Sequence, residues 1–231
     1  MKISTAPVSS GEIMFDASRW LPEQAALAFA GQGDDAGERR GRGHVRFLEL
    51  PFADAVLRRY HRGGLASRWS KDWYWWHGRE ATRPFREFRL TAALHEAGLP
   101  VPRPLAARYV RAGLGYRAEL ITERIADVHT LAEHLQSGKP IDWAAVGRLI
   151  ARFHAQGFWH ADLNAHNLLV DGDGQLWMID LDRGRLRSPG GWTHGNLGRL
   201  QRSLIKLGAR QRVDEFAACA WPQLLAGYRS A

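Results

Sequence analysis

Cysteine is nearly absent: Cys219 is the only one in 231 residues. No disulfide can close within the chain, and a reducing compartment is the expectation. Long apolar runs are missing as well. Nothing approaches the roughly 18 consecutive apolar residues of a membrane-spanning helix, and the opening MKISTAPVSSGEIMF lacks the apolar core of a signal peptide. Internal repeats and long low-complexity segments are also lacking. Acidic residues are in the minority, 24 against 32 lysines and arginines, for a net charge of +8. That balance favours anionic partners such as nucleic acid, anionic lipid or a phosphorylated sugar. A basic surface with no special partner is the other reading. The chain is rich in apolar residues, 45% of the total, enough core for one large domain or two small ones. It is also rich in tryptophan: there are ten, and Trp69, Trp73, Trp75 and Trp76 crowd into one short stretch.

Read along its length, the chain changes character near residues 123 to 128. GQGDDAGERRGRG (31–43) reads as a glycine-rich loop. HVRFLEL alternates as a strand does, and DAVLRRY (54–60) is a second strand after Pro51. RPFREFRLTAALHEAG carries Phe85, Phe88 and Leu94 at helical spacing and stops at Gly98, a C-cap residue. Three prolines hold LPVPRPL extended, and GYRAELITERI is another strand. The first half is therefore strands plus one helix. Beyond the connector, TLAEHL is a short helix, and WAAVGRLIARFHAQGF a longer one with Val146, Leu149, Ile150 and Phe153 on one side. NLLVDGDGQLWMIDLD is a hairpin about a DGDG turn, and the tail is mostly helical. This is an α+β chain with a β-rich first half and a mainly helical second half.

HADLNAHN (160–167) carries the chemistry. Asp162 follows a helix and precedes a strand, in a loop between rigid elements. Asn167 starts the hairpin and Asp180 ends it, so a tight fold-back brings the two to one site. An amide oxygen and a carboxylate are hard ligands suited to Mg²⁺, with Asp162 nearby to accept a proton from a hydroxyl. Phosphoryl transfer needs these parts. Taken singly they have plainer readings: His160 as a packed histidine supporting the loop, Asp162 as a cap. Asp171 and Asp173 read as turn residues, because a calcium loop would need glycine where Leu176 stands.

With these residues the chain resembles the protein-kinase-like superfamily. HADLNAHN is similar to its HxDxxxxN catalytic loop, and Asp180 in IDLD stands where the family has its metal-binding aspartate. The resemblance implies a bilobal fold, with residues 1–123 as an N-terminal lobe and 124–231 as the catalytic lobe. It also implies ATP bound between the lobes, Mg²⁺ on Asn167 and Asp180, and Asp162 as the base. GRGHVRF resembles the front of a glycine-rich phosphate loop, with Gly41 and Gly43. Arg58 takes the place of the usual phosphate-touching lysine, with Arg59 as a second candidate, and Glu87 is the matching helix acid. An exposed strand cation is the plainer reading of Arg58. Glu123, in ITERI, stands in the hinge that meets adenine.

Little chain follows Asp182, no APE-like motif is present, and Asn164 stands where protein-serine kinases usually carry lysine. A small-molecule or lipid-linked acceptor is therefore expected rather than a peptide. The positive charge also argues against an aminoglycoside acceptor. GRG (41–43), LRRYHRGGL (57–65), IDLDRGR (179–185) and NLGRLQRSL (196–204), together with the catalytic loop, closely resemble the bacterial 3-deoxy-D-manno-octulosonic acid (Kdo) kinase family. The resemblance runs from about residue 41 to 207. It implies ATP-dependent phosphorylation of the 4-hydroxyl of Kdo on Kdo–lipid A during lipopolysaccharide inner-core assembly, at the cytoplasmic face of the bacterial inner membrane.

Arg183 and Arg185 are candidates for the acceptor's carboxylate or phosphate, pairing with nearby acids being the alternative. Arg199 and Arg202 read as structural or surface charges on a helix. SRWSKDWYWWHGRE, with Arg68, Lys71 and Arg79 among its tryptophans, reads either as a contact with an anionic lipid surface or as a loop packed under the first lobe. A core heptose kinase of the same fold is the competing enzyme reading. A pseudokinase or a basic nucleic-acid-binding protein is the reading from another class; no recognised nucleic-acid motif appears, so no nucleic-acid partner is expected.

Overall fold

The structure, a computed structural model, describes residues 1–30, 45–60, 73–208 and 216–231. The chain divides into two compact units. Met1–Glu96 with Pro102–Arg124 form the first, and Ala97–Val101 with Ile125–Ala231 the second.

The first unit is built on an antiparallel sheet of β1 (Ile3–Val8), β2 (Gly11–Asp16), β3 (Val45–Leu50), β4 (Ala53–Arg59), β5 (Tyr74–Trp75), β6 (Pro104–Ala112) and β7 (Gly115–Glu123). The strand order is β1-β2-β6-β7-β4-β3, with β5 also on β7. Successive residues of a strand point to opposite faces, and here both faces are covered. Ile13, Phe15, Leu57, Ala106 and Ile121 pack with Ala25 and Phe29 of α1 (Pro22–Ala30). Their neighbours Met14, Ala107 and Leu120 pack on the other face with Phe85 and Phe88 of α2 (Arg83–Glu96). Each fully buried phenylalanine contributes about 1.5–3 kcal/mol.

The expectation of one helix in this half is corrected to two, since α1 lies in a region where sequence patterning suggested no element. Two-sided burial is the reason the strands β2 and β6 went unread there. Their pattern does not alternate, and β6 opens on Pro104, tolerated at the first residue of a strand because that residue's N–H is not needed. β1 does alternate, but only between exposed and half-buried residues, with Ala6 and Val8 the apolar ones on its inner side. Asp16 closes the β1–β2 hairpin from a fully buried position, accepting from Arg103 (2.6 Å) and from the Ser18 hydroxyl (2.6 Å). Burial pushes its carboxyl up, but the Ser18, Arg103 and backbone hydrogen bonds outweigh that and bring it down to about 2.

Helix α2 meets its expected span. Pro84 sits in its first turn, where no intrahelical N–H is required, and beyond its end Gly98 takes the left-handed φ of +73°. In the tryptophan-rich stretch the packed reading holds for Trp76. Trp76 stacks with Tyr109 and Tyr116 under the guanidinium of Arg111, 4.2 Å from the ring, so it belongs to the packed unit. Trp75 is 53% exposed and, with Leu114 at 72%, presents apolar surface. Trp69, Arg68 and Lys71 lie outside the described residues.

The second unit holds β8 (His129–Thr130), α3 (Leu131–Ser137), α4 (Trp143–Ala155), β9 (Phe158–Trp159), β10 (Leu168–Val170), β11 (Leu176–Met178), β12 (Arg185–Leu186), α5 (Trp192–Gly208) and α6 (Trp221–Arg229). Thr130 and Glu133 form a capping box on α3, and Asp142 caps α4. The expected face of α4 is buried: Val146, Leu149, Ile150 and Phe153. A fifth residue of that face, Gly147, lets α6 approach backbone to backbone. A Cβ added there would lie 2.0 Å from the Leu224 carbonyl oxygen. The predicted hairpin is β10–β11, pairing Leu168 with Met178. Its turn is tied by Asp171, whose Oδ1 accepts from Asp173 N (3.1 Å) and Gln175 N (2.8 Å), as expected of a turn residue.

Candidate active site

The loop 160–167 leaves β9 and enters β10, and its shape is set by side chains bonding to backbone. His160 is 1% exposed. Its Nδ1 accepts from the Asp162 N–H (3.1 Å), so the ring proton sits on Nε2, which donates to the Ile179 carbonyl (3.0 Å). One imidazole therefore ties the loop to the segment carrying Asp180. Asn167 does the same from the other side: its Nδ2 donates to the Asp162 carbonyl (2.9 Å) and its own carbonyl accepts from Ile179 N (3.0 Å). With Leu168 opposite Met178, the next pair outward is Asn167 and Ile179, and Asp180 follows. Asp162, Asn167 and Asp180 are thus gathered at one end of the hairpin. Asp180 holds a left-handed φ of 58°, uncommon for a residue other than glycine, with Ile179 before it tied at both its N–H and its C=O.

Burial pushes the His160 pKa below its ordinary 6.5, against the opposing pull of the Ile179 carbonyl and the charges of Asp180 and Asp162. His154, half-buried, is lowered by the same desolvation. Both are neutral in the fold, and the unfolded chain takes up the proton first. The stability they contribute is complete above pH 6.5 and is lost as pH falls below it, toward the folded-state values. Thermal melts between pH 8 and pH 5 should show Tm falling through the lower half of that range, with a smaller fall in His160→Asn. A Tm that rises toward pH 5 would contradict the neutral assignment.

The Asp162 carboxylate is 64% exposed and both of its oxygens are held. Oδ2 accepts from Asn164 Nδ2 (3.1 Å), and Oδ1 accepts from Arg199 (3.2 Å). Arg199 belongs to α5, and that helix contributes more than sequence patterning indicated. Asn196, 2% exposed, clasps the His160 peptide: its Nδ2 donates to the carbonyl (2.7 Å) and its Oδ1 accepts from the N–H (3.3 Å). The same Oδ1 accepts from His154 Nε2 (3.2 Å), whose Nδ1 accepts from the Tyr228 hydroxyl (2.8 Å). Ser203 Oγ accepts from Ala165 N (3.2 Å). Asn196, Arg199 and Ser203 recur at helical spacing, the one signal that could have marked this face from sequence. Asn196→Ala should leave buried groups of His160 and His154 without partners, at about 1–3 kcal/mol for each orphan. A calorimetric scan should show Tm lowered by several degrees; an unchanged Tm would contradict the clasp.

In the first unit Arg58 pairs with Glu87, which is 4% exposed, and lies 4.8 Å over the Tyr60 ring. Arg59 pairs instead with Glu119 across the β4–β7 register (3.0 Å). Of the two candidates, Arg58 is the one that shares the helix acid. Sequence reading missed Tyr60, whose hydroxyl donates to the second Glu87 oxygen. Burial, then the neighbouring Glu87 charge, pushes its phenol well above the ordinary value of 10, so Tyr60 remains a donor. Glu123 is the last residue of β7, its N–H on the Arg103 carbonyl (2.8 Å). Arg183 follows Asp180 in a tight turn at φ 61°, 73% exposed, with Nε 3.9 Å from the Asp182 carboxylate. Arg185 is exposed on β12, opposite Trp159. Gly41 and Gly43 lie outside the described residues.

The donor chemistry beside Asp162 suits Mg²⁺. Asn167 uses Nδ2 on the loop, which leaves Oδ1 as the amide's remaining acceptor, and Asp180 supplies a carboxylate. Among the described residues no group of three or more His, Cys, Asp or Glu is placed to hold a metal. That is compatible with Mg²⁺, which keeps several waters and takes one or two carboxylates together with substrate phosphates.

The chain is similar to several known proteins. The protein named 3-deoxy-D-manno-octulosonic acid kinase of Xanthomonas campestris pv. campestris (strain B100) is 52% identical over 211 residues, covering 88% of this chain and 84% of that protein. Its namesake from Stenotrophomonas maltophilia (strain R551-3) is 50% identical over 211 residues, covering 89% and 84%. Among solved structures, the bifunctional kinase-methyltransferase WbdD aligns at a TM-score of 0.46 with 19% identity, over 80% of this chain and 42% of that one. The model of the lipopolysaccharide kinase (Kdo/WaaP) family matches residues 28–228, and the chain belongs to that family.

Proposed function

We propose that this protein transfers the γ-phosphoryl group of ATP to the 4-hydroxyl of Kdo on Kdo–lipid A, in lipopolysaccharide inner-core assembly. The observation that carries the reading is the gathering of Asp162, Asn167 and Asp180 at one hairpin end, in a chain whose relatives are named Kdo kinases. Asp162 orients the acceptor hydroxyl and takes its proton. As the oxygen bonds to the γ-phosphorus, the bond from phosphorus to the bridging oxygen breaks and ADP leaves. Asn167 and Asp180 would hold Mg²⁺, which would supply neutralisation of phosphate charge. Arg58, fixed by Glu87, grips nucleotide phosphate with its planar fork. Positioning and charge neutralisation supply most of the rate.

The net charge of +8 favours an acceptor carrying phosphates and a carboxylate. The exposed Trp75 and Leu114, on a basic chain, support peripheral attachment to an anionic bilayer at the cytoplasmic face of the inner membrane. The test is to incubate the chain with Mg·ATP and purified Kdo–lipid A and to fragment the product in a mass spectrometer. One added phosphate on the Kdo 4-position is expected. Phosphate on another sugar, or none, would refute the assignment.

A further inference from the structure

The three loop contacts of α5 are not equivalent. Asn196 and Ser203 are neutral and bond backbone groups of the loop. Arg199 bonds the carboxylate of Asp162, and both partners are open to solvent, at 48% and 64% exposure. An exposed ion pair of this kind contributes little to folding. Asn196, buried and bonded three times, already anchors the loop, and Asn164 already holds the other oxygen of Asp162. Folding does not account for a cation here.

The guanidinium has five N–H donors in a flat fork. One nitrogen, NH1, reaches Asp162 Oδ1, and no other hydrogen bond of Arg199 is present among the described residues. A hydroxyl that delivers its proton to Asp162 must come within hydrogen-bond reach of that carboxylate, about 2.6–3.2 Å. A group that the acceptor carries beside that hydroxyl, on the Oδ1 side of Asp162, comes within reach of the remaining N–H groups of Arg199. These match a carboxylate or a phosphate, two oxygens to two N–H groups.

Resting on the function proposed above, we propose that Arg199 is the acceptor-recognition residue. It keeps Asp162 oriented with one N–H and binds an oxyanion of the acceptor with the others, so the enzyme selects hydroxyls that have a negative group nearby. Two parts of Kdo–lipid A carry that chemistry: the sugar acid itself and the lipid phosphates.

Steady-state kinetics of the full chain separate them, using Kdo–lipid A, its Kdo methyl ester and its dephosphorylated form. Arg199→Gln should raise KM for the intact acceptor roughly tenfold to a hundredfold, as expected for loss of a charge-assisted fork, with Tm and KM for ATP unchanged. Arg199→Lys, which keeps charge but not the fork, should fall between. One modified acceptor should raise the KM of the unaltered chain by a similar factor and show no further loss with Arg199→Gln. The ester behaving so identifies the carboxylate; the dephosphorylated form identifies a lipid phosphate. Equal losses on all three acceptors, or a fall in kcat with KM unmoved, would overturn the proposal and leave Arg199 as a positioning residue for Asp162. An unaltered chain inactive on every acceptor would remove the kinase assignment and this inference together.

Discussion

Replacing Asp162 with asparagine is expected to lower kcat for phosphate transfer by about 10²- to 10⁴-fold, the usual contribution of a positioned general base. Stability should change by no more than about 0.5 kcal/mol, as for other surface substitutions. The two parts of the expectation have separate physical origins. The loop is shaped at Asp162 by its backbone, through the N–H to His160 Nδ1 and the carbonyl to Asn167 Nδ2, and neither bond needs the side chain. Asparagine has the same outline and keeps one oxygen that can accept from Arg199 or Asn164. It cannot take a proton from the attacking hydroxyl. KM for ATP should hold, because the nucleotide's metal and phosphate contacts are assigned elsewhere. Near-normal kcat in a variant with an unchanged melting curve would exclude Asp162 as the base.

The second large effect is expected at Asp180. Asp180→Asn should weaken Mg·ATP binding by more than about tenfold, to the level seen with ATP in the presence of a chelator, because it removes the one anionic ligand assigned to the ion. Asparagine is the informative substitution. The residue sits at φ 58°, where asparagine is comfortable and alanine is not, so lost binding cannot be ascribed to a refolded turn. The peptide of Ile179, bonded to Asn167 and His160, is untouched. Calorimetric titration with and without Mg²⁺ reads the effect directly. Equal Mg²⁺ dependence in the variant and the original chain would move the metal away from Asp180.

Much of this site was legible because its geometry is local. The hairpin β10–β11 is short and its DGDG turn is tied by Asp171, so the spacing of Asn167 and Asp180 fixed their neighbourhood before any tertiary contact was known. Likewise, α2 and α4 each bury one stripe, the pattern that sequence shows best. Legibility failed where burial was two-sided or contacts were distant. In β2 and β6 neighbouring residues pack on opposite faces, and no period marks such strands. Asn196, Arg199 and Ser203 read as an ordinary polar helix face, because the loop they hold lies some forty residues earlier in the chain, as the 37 positions from Asp162 to Arg199 illustrate. Arg58 and Arg59 were indistinguishable in sequence. Strand alternation separates them, sending one to Glu87 and the other to Glu119.

The most direct test of the account places a paramagnetic ion in the site. With Mn²⁺ and a non-hydrolysable ATP analogue bound to the isotope-labelled protein, the Asn167 side-chain amide and the backbone amides of Ile179 and Asp162 should be broadened together, and Asp180→Asn should restore all three. If these signals stayed sharp while others elsewhere broadened, Asn167 and Asp180 would not share one cation beside Asp162, and the phosphotransfer mechanism drawn from their proximity would be wrong.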